Sequence, residues 1–259
     1  MFARCSVQWR FRYLDGIVVP PGIAAMKGRG LHAGAAVNMS QKIESHQDLP
    51  AKDIVDAAVE GFDASLKDGY ALTAHEEHCR AATLEAARDQ VANMALVHAS
   101  EQAPEYQPVL VERTIEVVTS GTHNLMGILD LVDDQDRLID LKTGGRKKPA
   151  GEVESSVQLT TYATLHHALT GRLPSEVRLD VLVEGKRGID RQLLVGTRGQ
   201  NDIVALENRI KAIEKAIGSG SFVPCPPGNW CCSRRFCGFF NQCEYINSDR
   251  EAASETFEA

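Results

Sequence analysis

Two aspartates and a lysine are the residues in this sequence best placed to do chemistry. Asp130 ends the segment Met126-Gly127-Ile128-Leu129-Asp130, and Asp140 and Lys142 alternate with apolar residues in Leu138-Ile139-Asp140-Leu141-Lys142. In a strand, residues i and i+2 point to one face. Asp140 and Lys142 therefore share a face, while Ile139 and Leu141 turn the other way into the core. The polar turn Asp133-Asp134-Gln135-Asp136 joins the two segments as a hairpin and places Asp130 on the neighbouring strand. A carboxylate from each strand can then converge on one cation. Hydrolysis of a phosphodiester needs an activated water and neutralisation of the developing negative charge. Mg²⁺ or Mn²⁺ held by oxygen ligands supplies both, and a nearby lysine orients the water and stabilises charge on the phosphate. Most Asp-x-Lys triplets are merely solvated. This one is set apart by its place in an alternating strand directly after a hairpin turn.

The elements around these residues read as an α/β chain. Residues 1–40 form a short helical or irregular entry interrupted by Pro20, Pro21 and Gly22, with a glycine-bearing segment at 27–32 ahead of an alanine-rich helix. Residues 50–100 have helical spacing, as in Ile54, Ala57, Ala58 and Phe62, and suit two or three helices. After Pro104 and Pro108 the character changes. Strands are expected at 109–118, 123–133 and 136–143, then a helix from Val153 to Leu169 ending near Gly171, strands at 177–184 and 190–196, and a helix over 202–217. On the first of these helices Gln158 and Tyr162 are spaced i, i+4 and share a face that Leu165 and Leu169 continue.

In this order, Gly127-Ile-Leu-Asp130, Asp140-Leu-Lys142 and Gln158-Leu-Thr-Thr-Tyr162 resemble the successive motifs of the RecB-type branch of the PD-(D/E)XK nucleases. The resemblance implies a restriction-endonuclease-like core, a mixed central sheet flanked by helices. It makes residues 1–259 a single nuclease domain, with a mostly helical part at 1–105, a catalytic α/β core at 106–220 and a Cys-rich tail at 221–259. It further implies that Asp130 and Asp140 ligate Mg²⁺ or Mn²⁺ with the Leu141 backbone carbonyl, that Lys142 activates water, and that Gln158 and Tyr162 support the site. An upstream histidine in a G-x-x-x-H pattern also joins the metal in that branch, and Gly28-Arg-Gly-Leu-His32 matches it. Glu112 stands where related nucleases often carry an acidic residue. The implied activity is that of a DNA exonuclease acting on single-stranded or free ends in recombination, repair, phage replication or CRISPR adaptation, alongside partner proteins of those pathways. A DNA-end-binding module of the same fold is the alternative, and the intact Asp/Asp/Lys set argues against it.

Five of seven cysteines (Cys225, Cys231, Cys232, Cys237 and Cys243) crowd the last 35 residues, among aromatics. Disulfides are not expected in a cytoplasmic protein, so the thiols suit zinc or an iron–sulfur cluster. RecB-type exonucleases with a [4Fe–4S] cluster take one cysteine from the N-terminus and three from the C-terminus, and Cys5 resembles the first. That set is Cys5, Cys232, Cys237 and Cys243. Here the first tail gap is four residues where the family often has two, so Cys225 or Cys231 could replace Cys5 or Cys232.

A net charge of −7 argues against non-specific coating of DNA but not against a local basic channel, and Arg146, Lys147 and Lys148 follow the catalytic strand directly. No apolar run is long enough to span a bilayer. A cytoplasmic location, in the host if phage-encoded, is the simplest reading. No P-loop is present, so the chain carries no ATPase motor. His75-Glu-Glu-His78 reads as a solvated helix face, as do His166 and His167.

Overall fold

In the computed structural model, residues 1–118, 124–226, 228–234 and 236–246 are described. Helices α1 (Ser6–Tyr13), α2 (Ile23–Ser45), α3 (Ala51–Lys67), α4 (Ala74–His78) and α5 (Arg80–Val97) precede a sheet of β1 (Pro108–Val118), β2 (Asn124–Asp133), β3 (Arg137–Gly144), β4 (Glu176–Gly185) and β5 (Gly188–Gly196). Between β3 and β4 lie α6 (Glu152–Ser155) and α7 (Val157–Thr170), and α8 (Gln200–Gly218) follows the sheet. The strands are ordered β1-β2-β3-β4-β5. Only β3 and β4 run parallel. A parallel pair cannot be closed by a tight turn, which is why α6 and α7 are inserted there.

Two details differ from the sequence-based expectation. The helix expected over Val153–Leu169 is two helices, because Ser156 leaves the helical region (ψ 107°) and its hydroxyl accepts from the Leu159 amide to start a new one. The glycine-bearing segment 27–32 is not an entry to a helix but lies inside α2. Its glycines serve packing: a Cβ on Gly30 would meet the Ala58 carbonyl at 2.8 Å, and one on Gly34 the Ile54 carbonyl at 2.7 Å. The backbone of α3 takes that space, and the contact outweighs the low helix propensity of glycine.

The chain divides into two compact units, Pro21–Arg209 and Met1–Pro20 with Ile210–Ala259. In the first, one face of the sheet packs Leu129, Leu138, Val177 and Val181 against Leu159, Ala163 and Leu165 of α7. The opposite face packs Leu131, Ile139 and Leu141 against Ala35, Met39 and Tyr106. β3 is thus buried on both sides. Asp140 shares its face with a core residue, Leu138, rather than with solvent, which corrects the expectation that only Ile139 and Leu141 turn inward. Leu141 pairs in register with Asp180 of β4. The buried Asp180 carboxylate accepts from Gln102, Tyr106 and Arg191, so this charge beside the site strand is fully satisfied.

The described residues of the second unit are 1–20, 210–226, 228–234 and 236–246. Its small core consists of Cys5, Val7, Phe11, Cys225, Cys231, Cys237 and Phe239. Among its described residues it holds α1, the end of α8 and the 3₁₀ turn Phe240–Gln242, and the rest is irregular chain. No described helix is long and apolar enough to cross a membrane.

Candidate metal centre and thiol cavity

The centre in the sheet forms where β2 and β3 part. Their ladder pairs Val132 with Leu138 and Leu131 with Ile139, and pairing ends there. Beyond it the Asp130 carboxylate takes over, its Oδ2 accepting the Leu141 N–H at 2.9 Å. A side chain has replaced a ladder bond, and the strands separate around it. On the other side of β2, Glu112 of β1 lies opposite Asp130, between the pairs Val111–Leu131 and Arg113–Leu129. Glu112 has φ +44°, a left-handed backbone inside a strand. For a non-glycine residue that conformation is strained, and such strain concentrates at functional sites.

His32 reaches this gap from α2. Its Nδ1 lies 3.1 Å from Glu112 Oε1 and 3.8 Å from Asp130 Oδ2, and its Nε2 lies 3.0 Å from the Leu141 carbonyl oxygen. As it stands, Nδ1–H can donate to the Glu112 carboxylate; with a cation bound at Nδ1 in its place, Nε2–H would donate to the Leu141 carbonyl, the arrangement of a metal-ligating histidine with its orienting partner. Ligand atoms of His32, Glu112 and Asp130 lie within 4.8 Å of one another. Asp140 is fully buried. Its Oδ1 accepts from Lys142 Nζ at 2.8 Å, while its Oδ2 has no hydrogen-bond partner. A buried carboxylate oxygen without a donor is costly unless a cation sits against it. Carboxylates with one imidazole form a hard donor set that suits Mg²⁺ or Mn²⁺, so the residues present fit a divalent ion.

The electrostatics agree. Burial, and then the neighbouring Asp140, push the Asp130 carboxyl up to about 7. Burial also raises Asp140, although Lys142 opposes it. For His32, burial lowers the pKa, but the bond to Glu112 and the field of Asp130 outweigh it, so the net shift is upward. Lys142 is likewise raised: burial disfavours its charge, and Asp140 more than compensates. Two buried, adjacent carboxyls with raised pKa values, flanked by cations, form a site where a bound divalent ion would favour the ionised forms.

Gln158 donates from Nε2 to the Tyr162 hydroxyl at 2.7 Å, so the two share a face as the spacing indicated. Gly127 lets α7 come down on β2, for a Cβ there would meet Leu165 Cδ1 at 2.7 Å and Tyr162 Cε1 at 3.2 Å. Burial raises the Tyr162 pKa, and the charges of Asp130 and Asp140 add to it. That buried face stops at Leu165, since Leu169 is 52% exposed. His166 is not on the helix surface but buried, bonded to Asp136 Oδ1 and the Arg172 carbonyl, where it ties α7 to the β2–β3 turn. His75 and His78 are exposed as expected. In the Arg146–Lys148 loop, the Lys148 backbone is held by Gln192 of β5, and Lys147 and Lys148 stand 3.8 Å and 3.9 Å from Asp190 and Glu152.

For Glu112 the sequence offered only a resemblance in position and no ligand role. Its strand position gave a hint, but the left-handed backbone that aims it at His32 has no local signature.

The second unit encloses a cavity of about 700 Å³ lined by Cys5, Cys225, Cys232, Cys237 and Cys243. All six cysteines of this unit are unpaired thiols. Cys231, 1% exposed, packs against Cys225 with the sulfurs 2.8 Å apart. Gln8 donates to Cys237 Sγ at 3.0 Å, and the Cys225 amide to Cys5 Sγ at 3.3 Å. Burial raises Cys225 to about 12 and also raises Cys232 and Cys243. Without a cation such thiols stay protonated, and a bound metal reverses that. Among the described residues no three cysteine sulfurs lie within 4.8 Å of one another. One tetrahedral zinc, with Zn–S of about 2.3 Å, holds its sulfurs only ~3.8 Å apart. The cysteines around the cavity are the donor set of a thiolate metal site, and they leave zinc and an iron–sulfur cluster both open.

No curated protein matches the chain. Among solved structures, a protein named "Putative exonuclease" from Eubacterium rectale superposes with a TM-score of 0.57 at 10% identity, covering 98% of this chain and 87% of that one. At that identity the likeness is one of fold. A second structure, SSO0001, matches 66% of this chain and 78% of its own at 16% identity, with a TM-score of 0.38. The family model of the PD-(D/E)XK nuclease superfamily matches residues 1–244, which include the carboxylate centre and the cysteines. The chain belongs to the PD-(D/E)XK nuclease superfamily.

Proposed function

We propose that this nuclease is a divalent-metal-dependent DNA exonuclease of the RecB type, acting on single-stranded or free ends. The observation that carries the reading is the orphaned, fully buried Asp140 Oδ2 in a site where His32, Glu112 and Asp130 already converge. His32, Asp130 and Asp140 would hold the ion. Glu112 would add a fourth donor, whereas the Leu141 carbonyl, which accepts from His32 Nε2, would join the ion only if that contact were given up. When bound, a divalent ion lowers the pKa of water and withdraws charge from the phosphate. The protein supplies the rest. Lys142, fixed by Asp140, offers its remaining N–H donors to the attacking water or a phosphate oxygen. Tyr162 and Gln158, held together, line the same side of β2 and can bind the phosphate backbone. Arg146, Lys147 and Lys148 are the nearby candidates for contact with the strand beyond. In the second unit, Cys5, Cys232, Cys237 and Cys243 would hold a [4Fe–4S] cluster, with Cys231 set aside against Cys225. Five cysteines lining one cavity support a thiolate-ligated metal site there. End processing in recombination, repair, phage replication or CRISPR adaptation is the setting this chemistry serves.

The test is a cleavage assay on end-labelled linear and covalently closed circular single-stranded DNA, with Mn²⁺ or with EDTA. Progressive release of nucleotides from linear DNA alone, only with the ion, is expected. Equal cleavage of circles would overturn the exonuclease reading, and no cleavage of either would overturn the enzyme. Iron and sulfide near four each per chain are expected in anaerobically purified protein, whereas stoichiometric zinc would contradict the cluster.

A further inference from the structure

We infer that Gln192 is a positioning residue for substrate binding: its carboxamide holds the Arg146–Lys148 loop as a preformed contact for a phosphate of the bound strand, beside the metal centre. The inference rests on the nuclease reading above and adds to it the device that fixes where the strand lies.

Sheet register places Gln192 in line with the site. Lys142 of β3 pairs with Val181 of β4, and Val181 pairs with Gln192 of β5. Residues opposite one another in a sheet share a face, and neighbouring strands lie about 4.8 Å apart. Gln192 therefore stands on the same face as Lys142, two strands and about 10 Å away. Val181 and Val183 on that face belong to the core under α7. Asp190, the partner of Val183, shares the face two residues before Gln192.

The chain that leaves the site is brought to these two side chains. Residues 142–151 carry Lys142, Arg146, Lys147 and Lys148 and no Asp or Glu. Past the end of β3 this segment reaches across to β5, where the Lys148 N–H donates to Gln192 Oε1 at 2.7 Å and Gln192 Nε2 donates to the Lys148 carbonyl at 2.9 Å. One side chain thus takes both backbone polar groups of Lys148, as a partner strand would. Lys147 stands 3.8 Å from Asp190 on the same strand. Ordering a loop that begins with Gly144 and Gly145 costs conformational entropy, and three successive cations repel one another. The arrangement favours binding instead, because a loop already ordered loses less freedom when a polyanion docks. Lys147 and Lys148 have carboxylates only at 3.8 Å and 3.9 Å, and among the described residues Arg146 has none within ion-pair reach. Its exposed guanidinium is left with its planar fork of donors for a phosphate. A strand whose scissile phosphate lies at Asp140 and Lys142 brings its next phosphates to this face of the sheet. If Gln192 did no more than satisfy the Lys148 backbone, its loss would lower stability and leave substrate binding alone.

The experiment uses the full chain with Mn²⁺ and end-labelled linear single-stranded DNA. Values of kcat and KM, their salt dependence and far-UV circular dichroism are compared for wild type, Gln192→Met, the loop variant Arg146→Gln/Lys147→Gln, and all three substitutions together. Gln192→Met keeps the side-chain length and loses both hydrogen bonds. It is expected to raise KM about fivefold with kcat changed by less than about twofold. The loop variant should raise KM at least as much and reduce the salt-dependence slope by about one. Added to the loop variant, Gln192→Met should change KM by less than about twofold, because a positioning residue has no effect once the groups it positions are gone. A KM in Gln192→Met within about twofold of wild type overturns the inference, and so does an equal effect with and without the loop charges. Should Gln192→Met fail to fold, Gln192→Glu takes its place in the cycle, keeping the acceptor for the Lys148 N–H and losing the donor, and the same outcomes decide. If wild type cleaves no DNA, the nuclease reading fails, and dissociation constants for fluorescein-labelled oligo-dT, measured by anisotropy without divalent ions, replace KM in the same comparison. Wild type that neither cleaves nor binds overturns both readings.

Discussion

The carboxylate centre and the thiol cavity solve one problem, gathering ligands from distant parts of the chain, by opposite means. In the first unit the ligands stand on regular elements: His32 on α2, Glu112 on β1, Asp130 on β2 and Asp140 on β3. Those elements are fixed by apolar layers on both faces of the sheet, so the centre is assembled before any ion arrives. In the second unit the thiols lie mostly on irregular chain, and cysteines themselves supply much of the core. A scaffold that preforms its site keeps its fold when a ligand is lost. A scaffold made of its ligands does not.

The largest effect expected from this contrast is on chemistry alone. Asp140→Asn should lower Mn²⁺-dependent cleavage by at least about a thousandfold while leaving circular dichroism and visible absorption unchanged. Retained activity would remove Asp140 from the centre. The converse substitution, Cys237→Ser, should disorder the second unit and abolish the visible absorption. Limited proteolysis is then expected to trim both chain ends while the sheet survives, and equal resistance to protease would erase the distinction between the units.

Packing comes next. Gly127→Ala should displace α7 and destabilise the sheet unit by about 1–3 kcal/mol, read by urea denaturation, because its Cβ would press on Leu165. An unchanged midpoint would show that α7 has slack there.

The pH dependence separates the units further. The folded Asp130 carboxyl binds its proton more tightly than in the unfolded chain, so without metal this group destabilises the fold as pH rises from about 4 to 7. A divalent ion must displace that proton. Mn²⁺ should therefore raise the melting temperature more at pH 8 than at pH 6, and an equal shift at both would contradict a protonated Asp130. The smallest effect belongs to Tyr162→Phe, a several-fold fall in kcat/KM at most, since it removes one hydroxyl that Gln158 holds. A loss as great as that of Asp140→Asn would make Tyr162 part of the reaction.

Sequence showed the first unit well because periodicity and ligand placement coincide there. Asp140 and Lys142 fall at i and i+2 of an alternating strand, and Gln158 and Tyr162 at i and i+4 of a helix. It missed what depends on partners far along the chain. The splaying of β2 from β3 at Asp130 and the left-handed backbone of Glu112 arise from three strands meeting α2, and no local pattern encodes them. The break at Ser156 escaped the sequence reading because apolar spacing continues across it. In the second unit, the sequence could list the thiols but not sort them. Only the fold shows Cys231 turned against Cys225 and Cys232 lining the cavity.

Anomalous diffraction from a crystal soaked in Mn²⁺ would test the account at its centre. A peak within bonding distance of His32 Nδ1 and carboxylate oxygens of Asp130 and Asp140 is the predicted result, with Asp140 Oδ2 no longer without a partner. Density for the ion elsewhere, or none at concentrations that support cleavage, would contradict it.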